Sequence, residues 1–126
     1  MERIRRFEDI NAWKQAWVLA NRLYDLTSRG EYARDFALRD QTRRAAVSVM
    51  ANIAEGFGRR TDRDFASFLY YSKGSAFETQ SHLYVAVDRG YISASEHAEL
   101  FSGMDQVAAR LVRLILYLEK SAPDAR

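Results

Sequence analysis

Two stripes of polar side chains contain most of the residues that could do chemistry. Each stripe recurs every three or four residues, which is the spacing of one helix face. The first stripe consists of Gln41, Arg44, Ser48, Asn52, Glu55 and Arg59, and the second of Ser67, Tyr71, Ser75, Glu78 and His82. Three hypotheses fit them: a solvated helix face, a metal or catalytic site, or a polar subunit interface where Glu55 or Glu78 meets a neighbour's arginine.

The spacing of the acidic residues and histidines argues against the metal or catalytic hypothesis. Carboxylate-metal bundles use Glu-x-x-His pairs, whereas Glu78 and His82 are four residues apart and His97 directly follows Glu96. With two histidines and no cysteine, a zinc site would need carboxylates to complete its ligand shell. We therefore predict no catalytic residue, no metal, no cofactor and no enzymatic activity. The alternative is a carboxylate-metal enzyme that uses Glu55, Glu78 and His82.

Arginines form three sequence clusters, and the planar guanidinium suits both phosphates and carboxylates. The clusters are Arg3, Arg5 and Arg6; Arg39, Arg43 and Arg44; and Arg59, Arg60 and Arg63. Acidic residues lie between them, so ordinary solvated or ion-paired side chains are one interpretation, and phosphate contact is the other. The net charge of +2 gives a monomer a weak electrostatic field. A symmetric ring would repeat the basic patch, and the fields of the copies would add. We predict the second and third clusters as nucleic-acid contacts.

Four segments with helical periodicity must position these side chains. They span about residues 9–28, 36–57, 62–89 and 94–120, each with apolar residues three or four apart. The one proline, Pro123, lies beyond them, so nothing breaks the helices. Short connections make successive helices antiparallel neighbours. The sequence therefore predicts a single all-α domain, residues 1–126, folded as an antiparallel up-down-up-down four-helix bundle.

The helix ends and one glycine carry more local predictions. The expected N-caps are Asp9, Asp35, Thr61 or Asp62, and Ser93 in a capping box with Glu96. Gly74 interrupts the third segment at a cost of about 0.5–1 kcal/mol relative to alanine. We therefore expect another helix to approach closely at Gly74.

Composition excludes several classes of protein. The chain has no cysteine, which rules out disulfides, thiolate metal sites and cysteine nucleophiles. No window approaches the roughly 18 consecutive apolar residues of a membrane span. The basic N-terminus has no apolar region behind it and does not read as a secretory signal. We expect a cytoplasmic protein without a membrane partner.

One segment carries a family resemblance. Residues 41–56, QTRRAAVSVMANIAEG, resemble the signature of the four-helix-bundle proteins called 23S rRNA intervening-sequence proteins. The chain also resembles a second signature of this family, at Gly74, Ser75, Glu78, Leu83, Gly90, Tyr91 and Ile92. The likeness covers nearly the whole chain, from about residue 7 to residue 121.

The chain departs from the family pattern at Met50, where the family usually has proline. Proline would remove a backbone donor and kink the second long helix. Met50 therefore predicts a continuously hydrogen-bonded helix at this point.

The resemblance implies a small cytoplasmic bundle that assembles into a ring, a homopentamer in known relatives. Some relatives are encoded inside insertions in ribosomal RNA genes. Related bundles are accessory factors of the reverse transcriptases of diversity-generating retroelements and bind nucleic acid. On this basis we predict a non-enzymatic, ring-forming accessory or scaffold protein that binds RNA or a nucleic-acid enzyme; a purely structural oligomer is the alternative. The predicted bundle or subunit contacts are Ser48, Asn52, Glu55, Gly56, Gly74, Ser75 and Glu78.

Overall fold

The computed structural model describes residues 4–120, and every regular element in this part of the chain is a helix, with no β-strand. A 3-10 turn at Phe7–Asp9 precedes the α-helices. These are α1 (Asn11–Thr27), α2 (Gly30–Arg34), α3 (Phe36–Phe57), α4 (Asp62–Asp88) and α5 (Ala94–Lys120). The all-α prediction is confirmed, and the four predicted segments correspond to α1, α3, α4 and α5.

The short helix α2 is not predicted by periodicity, because five residues are too few to show a period. Gly30 begins it with a φ of 46°, a left-handed conformation that glycine adopts without strain. Tyr32 then anchors the helix, since its ring is fully buried and its hydroxyl donates to Thr42 Oγ1 over 3.1 Å. The link between the first two long helices is therefore an ordered turn.

Three of the predicted N-caps are confirmed. Asp35 Oδ1 accepts from the Leu38 N–H over 3.1 Å at the start of α3, and Thr61 Oγ1 accepts from the Asp64 N–H over 3.1 Å at the start of α4. The third is the capping box of α5. There the Glu96 N–H donates to Ser93 Oγ and the Ser93 N–H donates to Glu96 Oε1, over 3.0 and 2.9 Å.

The predicted cap at Asp9 is wrong. Helix α1 begins at Asn11 after Ile10, whose side chain makes no capping hydrogen bond. The Asp9 carboxylate is occupied one turn earlier, because its Oδ2 accepts the backbone N–H groups of Arg5 and Arg6 over 3.1 and 3.2 Å.

The long helices pack side by side in the cyclic order α1, α3, α4, α5. Helix α1 contacts α3 and α5, and α4 contacts the same two helices. Side-chain contacts show the relative directions, since Gln15 pairs with Gln106 and Arg22 with Glu99, so that a later residue in α1 meets an earlier one in α5. Helices α3 and α4 are antiparallel for the same reason, because Ser48 meets Ser75 whereas the later Gly56 meets the earlier Phe68.

A core of aliphatic side chains fills the space between these helices. Burying each of these side chains contributes about 1.5–3 kcal/mol. The fully buried ones include Leu23, Ile53, Leu69, Leu83, Leu100, Met104, Leu111 and Ile115. Met50 packs half-buried against this core, and α3 runs unbroken through it, as the departure from proline predicts.

The glycine that permits a close helix approach is not the one predicted. A Cβ added at Gly74 would meet no atom within 4 Å, so no other helix of the chain approaches there. The close approaches are at Gly56, where a Cβ would lie 2.6 Å from Phe68 Cβ, and at Gly103, where it would lie 2.7 Å from Leu19 Cδ2. Gly56 therefore fixes the separation of α3 and α4.

No helix within residues 4–120 combines the length and the hydropathy needed to cross a membrane.

Candidate nucleic-acid and subunit interfaces

A half-buried polar seam joins α3 to α4. Ser48 Oγ and Ser75 Oγ lie 2.9 Å apart, and Asn52 Nδ2 donates to the Ser48 carbonyl over 2.9 Å and to Ser48 Oγ over 3.0 Å. Ser72 Oγ donates across the same interface to the Val49 carbonyl over 2.6 Å. The small polar residues of the two predicted stripes thus bind the two helices of one chain to each other.

The larger members of the stripes lie outside this seam. Glu78 Oε2 lies 3.4 Å from His82 Nε2, and Glu55 Oε2 lies 3.8 Å from a guanidinium nitrogen of Arg59. Within residues 4–120 no three histidine, aspartate or glutamate side chains come together in a way that could hold a metal ion. Glu55 and Glu78 are both exposed, and each lies beside a partner one turn further along its own helix.

Two of the predicted phosphate-binding arginines are engaged inside the chain. Arg39 donates to Asp40 Oδ1 over 2.8 Å and to the Ala33 carbonyl over 3.0 Å. The hydrogen bond to the Asp40 carboxylate lowers the pKa of Asp40. Arg43 donates to Thr27 Oγ1 and Ser28 Oγ over 2.8 and 3.1 Å. These two guanidiniums tie α3 to the preceding turns.

The other four predicted arginines lie at the surface. Arg59 stacks on the Phe68 ring, with its Cζ 4.6 Å from the ring centroid. Arg44, Arg60 and Arg63 are exposed, and their guanidiniums form no hydrogen bond or ion pair within residues 4–120. Arg44 lies in the first half of α3, whereas Arg60 and Arg63 flank its far end, roughly 25 Å away at 1.5 Å per residue. The exposed predicted contacts thus lie in two places, one near the middle of α3 and one just beyond its end.

Two groups of exposed large apolar side chains lie on different sides of the molecule. The first side, the α1–α3 face, contains Trp17, Tyr24 and Val47, which are 51%, 43% and 39% exposed. Tyr24 defines its position, because Arg43 of α3 stacks on the Tyr24 ring at 4.5 Å. In the cyclic order of the helices, the α1–α3 pair lies opposite the α4–α5 pair.

The second side, the α4–α5 face, contains Tyr70, Phe77 and Tyr84, which follow one another at seven-residue intervals along α4. They are 47%, 50% and 54% exposed. Tyr84 lies 5.4 Å from the Phe101 ring of α5, and the Tyr70 hydroxyl donates to Glu119 Oε2 over 3.3 Å. The periodicity of the sequence does not distinguish these aromatic residues from core positions, because both recur at helical spacing.

A cavity of about 400 Å³ lies where the N-terminal segment meets α5. Arg110 and Arg113 line it together with Asn11 and Ile4, and Arg110 donates to the Asn11 carbonyl over 3.3 Å. Sequence clusters do not reveal these two arginines, since they stand apart from the other basic runs. The antiparallel helix order is the signal that could have placed them in the same half of the molecule as Arg59, Arg60 and Arg63.

Comparison with known proteins gives a family and similar solved structures. A family model described as 23S rRNA-intervening sequence protein matches residues 8–113. A crystal structure of a protein with unknown function from the S23 ribosomal protein family, from Bacteroides thetaiotaomicron VPI-5482, superposes with a TM-score of 0.75. It is 20% identical in sequence, and the match covers 82% of this chain and 97% of that chain. No curated protein matches the chain.

Proposed function

The chain belongs to the family of 23S rRNA-intervening sequence proteins, and from this membership we propose that it is a cytoplasmic, non-enzymatic accessory protein that forms a ring and binds RNA. In this proposal the four long helices form one antiparallel up-down-up-down bundle. Copies of the bundle assemble into a closed homopentamer. The ring repeats its arginines around the assembly and presents them to RNA.

The observation that carries this proposal is the pair of apolar faces on opposite sides of the chain. Contiguous exposed aromatic residues on a small soluble domain indicate an interaction surface. A symmetric dimer needs one self-complementary patch, whereas a head-to-tail interface joins two different patches and closes into a ring when the rotation permits. The separate α1–α3 and α4–α5 faces match the second arrangement.

The RNA part of the proposal rests on exposed arginines and adjacent aromatic rings. Arg44, Arg60 and Arg63 make no internal ion pair within the described part of the chain, so a phosphate group needs to displace no carboxylate from them. Arg59 over Phe68 is a surface pair of the kind on which bases stack. One chain has a formal charge of only +2, and repetition around a ring multiplies the field.

The solution mass tests the ring. Light scattering coupled to gel filtration at micromolar concentration should give about five times the chain mass of 14.5 kDa. A closed ring keeps one mass over a tenfold dilution, whereas an open head-to-tail filament gives masses that grow with concentration. A monomeric mass throughout this range would show that the ring proposal is wrong.

A salt titration tests the RNA partner. Affinity for a single-stranded RNA should fall steeply with salt, because each phosphate contact contributes a slope of about −0.7 in log K against log salt. The control is a protein sample titrated with uncharged peptide nucleic acid of the same sequence. If RNA is not bound at 50 mM salt, the chain is instead a purely structural oligomer, the alternative without a nucleic-acid partner.

A further inference from the structure

The charged side chains are divided unequally between the two ends of the molecule. The midpoints of the four long helices separate one half, residues 4–18, 48–74 and 108–120, from the other half, residues 19–47 and 75–107. The first half has ten lysines and arginines against six acidic residues, and the second half has seven against nine. We call the first half the basic end.

Contacts show that the parts of the basic end adjoin in space. Gly56 at the end of α3 packs against Phe68 near the start of α4. Tyr70 of α4 reaches Glu119 at the end of α5, and Asn11 at the start of α1 contacts Arg110. The excess of positive charge therefore belongs to one end of the fold and is not scattered along the chain.

Several acidic groups at the basic end are already engaged with partners inside the chain. Glu8 pairs with Arg6 over 2.7 Å, Glu55 pairs with Arg59, and Asp9 accepts two backbone N–H groups. By contrast, Arg60, Arg63 and Arg113 are exposed, with no hydrogen bond or ion pair from their guanidiniums within residues 4–120. Each ion pair removes one positive and one negative charge, so the net excess at this end is unchanged, and Arg60, Arg63 and Arg113 remain available to an external ligand.

We propose that the basic end is the nucleic-acid contact surface, and that the cavity at Arg110 and Arg113 receives a backbone phosphate. This inference rests on the proposed RNA binding and adds where the RNA lies. The cavity of about 400 Å³ has room for a phosphate and its sugar. Its wall combines the two guanidiniums with the apolar side chains of Ile4, Ile10 and Leu114.

The start of α1 adds to the positive potential of this cavity. Asn11 and Ala12 line it, and the first backbone N–H of α1 to reach a carbonyl is that of Lys14, which donates to Ile10 over 3.1 Å. The N–H groups that precede it point out of the N-terminal end of the helix, and an anion is favoured at that end. Asp9 also lines the cavity, but two guanidiniums and the helix end outweigh one carboxylate. Tyr117, one turn beyond Arg113 and 52% exposed, offers a stacking surface for a base.

Two triple variants with equal charge changes test the proposal. The first replaces Arg63, Arg110 and Arg113 by Gln at the basic end. The second replaces Arg22, Arg34 and Arg89, arginines of the other half to which no RNA contact is assigned, by Gln. We expect the first variant to bind single-stranded RNA at least tenfold more weakly at 100 mM salt. The slope of its log K against log salt should be less steep by about 2. The second should stay within about threefold of the unmodified chain.

The outcomes separate this inference from the proposed function. If the unmodified chain binds no RNA, the proposed function fails. If it binds RNA and the two triple variants weaken binding equally, RNA binding stands and the location at the basic end is wrong. Helix content and solution mass are measured for each variant, and the single substitution R113Q replaces the triple one if the latter does not fold.

Cross-linking gives a second measurement that does not depend on charge. Because the chain has no cysteine, single cysteines at Ser67 and Ser81 can each carry a photoreactive group. Both positions are exposed on α4, about 21 Å apart, with Ser67 at the basic end and Ser81 beyond the midpoint. RNA should cross-link from Ser67→Cys and not from Ser81→Cys. The reverse pattern would overturn the proposal.

Discussion

Single small residues determine how closely α3 and α4 approach each other. Ser48, Asn52 and Ser75 exchange hydrogen bonds that satisfy polar groups at a half-buried interface. Gly56 leaves the space that the Phe65 and Phe68 side chains occupy. The family-like segment thus contributes packing and hydrogen bonds to one chain before it contributes anything to a partner.

Replacing Gly56 by alanine should destabilise the protein. The added Cβ would lie 2.6 Å from Phe68 Cβ and 3.0 Å from Phe65 Cδ1, so one helix must shift. Overpacking of this kind costs about 1–3 kcal/mol in the free energy of unfolding, measured by urea denaturation. The matched control is Gly74→Ala, which meets no atom within 4 Å and should stabilise the helix by about 0.5–1 kcal/mol. Equal effects of the two substitutions would contradict this account.

Residue types alone do not show which glycine or arginine has a neighbour. Gly56 and Gly74 each stand next to a residue of the polar stripes, Glu55 and Ser75, and only the packing of α3 on α4 shows that one glycine is enclosed and the other open. Arg43 and Arg44 are adjacent in sequence, yet one is engaged by Thr27 and the other faces outward. One helical residue corresponds to a rotation of 100°, so neighbours in sequence face different surroundings.

At the scale of elements, the start of α5 is held by one carboxylate with several partners. Glu96 accepts two guanidinium hydrogen bonds from Arg29, each 2.9 Å, and closes the capping box with Ser93. The bonds from Arg29 and from the Ser93 backbone lower the pKa of Glu96 to about 2. One side chain therefore caps α5 and ties it to the turn after α1.

Stability should depend on pH through Glu96. Its folded pKa lies below its ordinary value of 4.5, so its contribution is complete above about pH 5 and is lost as the pH falls towards 2. We expect a loss of about 1–2 kcal/mol, because the half-exposed Arg29 is partly screened by water. The measurement is urea denaturation at pH 6 and pH 3, in which Glu96→Gln should remove about this much of the pH dependence. The control Glu31→Gln affects an exposed pair with Arg34 and should leave the pH dependence nearly unchanged.

The long helices and most of their caps could be predicted from sequence because each depends on local chemistry. Asp35, Thr61 and Ser93 accept hydrogen bonds from N–H groups three residues ahead, whatever the rest of the fold does. Asp9 has the same residue type but serves the preceding 3-10 turn. Helix α2 depends on the burial of Tyr32, which is a tertiary effect without a local pattern.

At the scale of the whole molecule, the fold separates two properties that the composition averages. The exposed apolar residues of the α1–α3 and α4–α5 faces lie on the sides of the molecule, whereas positive charge concentrates at one end. Side faces that join head to tail would align the basic ends of all copies on one rim. The net charge of +2 conceals this arrangement because the opposite end has an excess of acidic residues.

A mixing experiment tests whether the two apolar faces join to each other. Val47→Glu damages the α1–α3 face and Phe77→Glu damages the α4–α5 face, each at an exposed position that does not support the core. Each variant alone should be monomeric, because a head-to-tail contact needs one intact face of each kind. An equal mixture should form a heterodimer of about twice the chain mass through the two remaining faces. The control Val18→Glu, 65% exposed on the outer side of α1, should keep the mass of the unmodified chain. If one variant keeps its assembly, or if the mixture stays monomeric, the faces do not pair in this way.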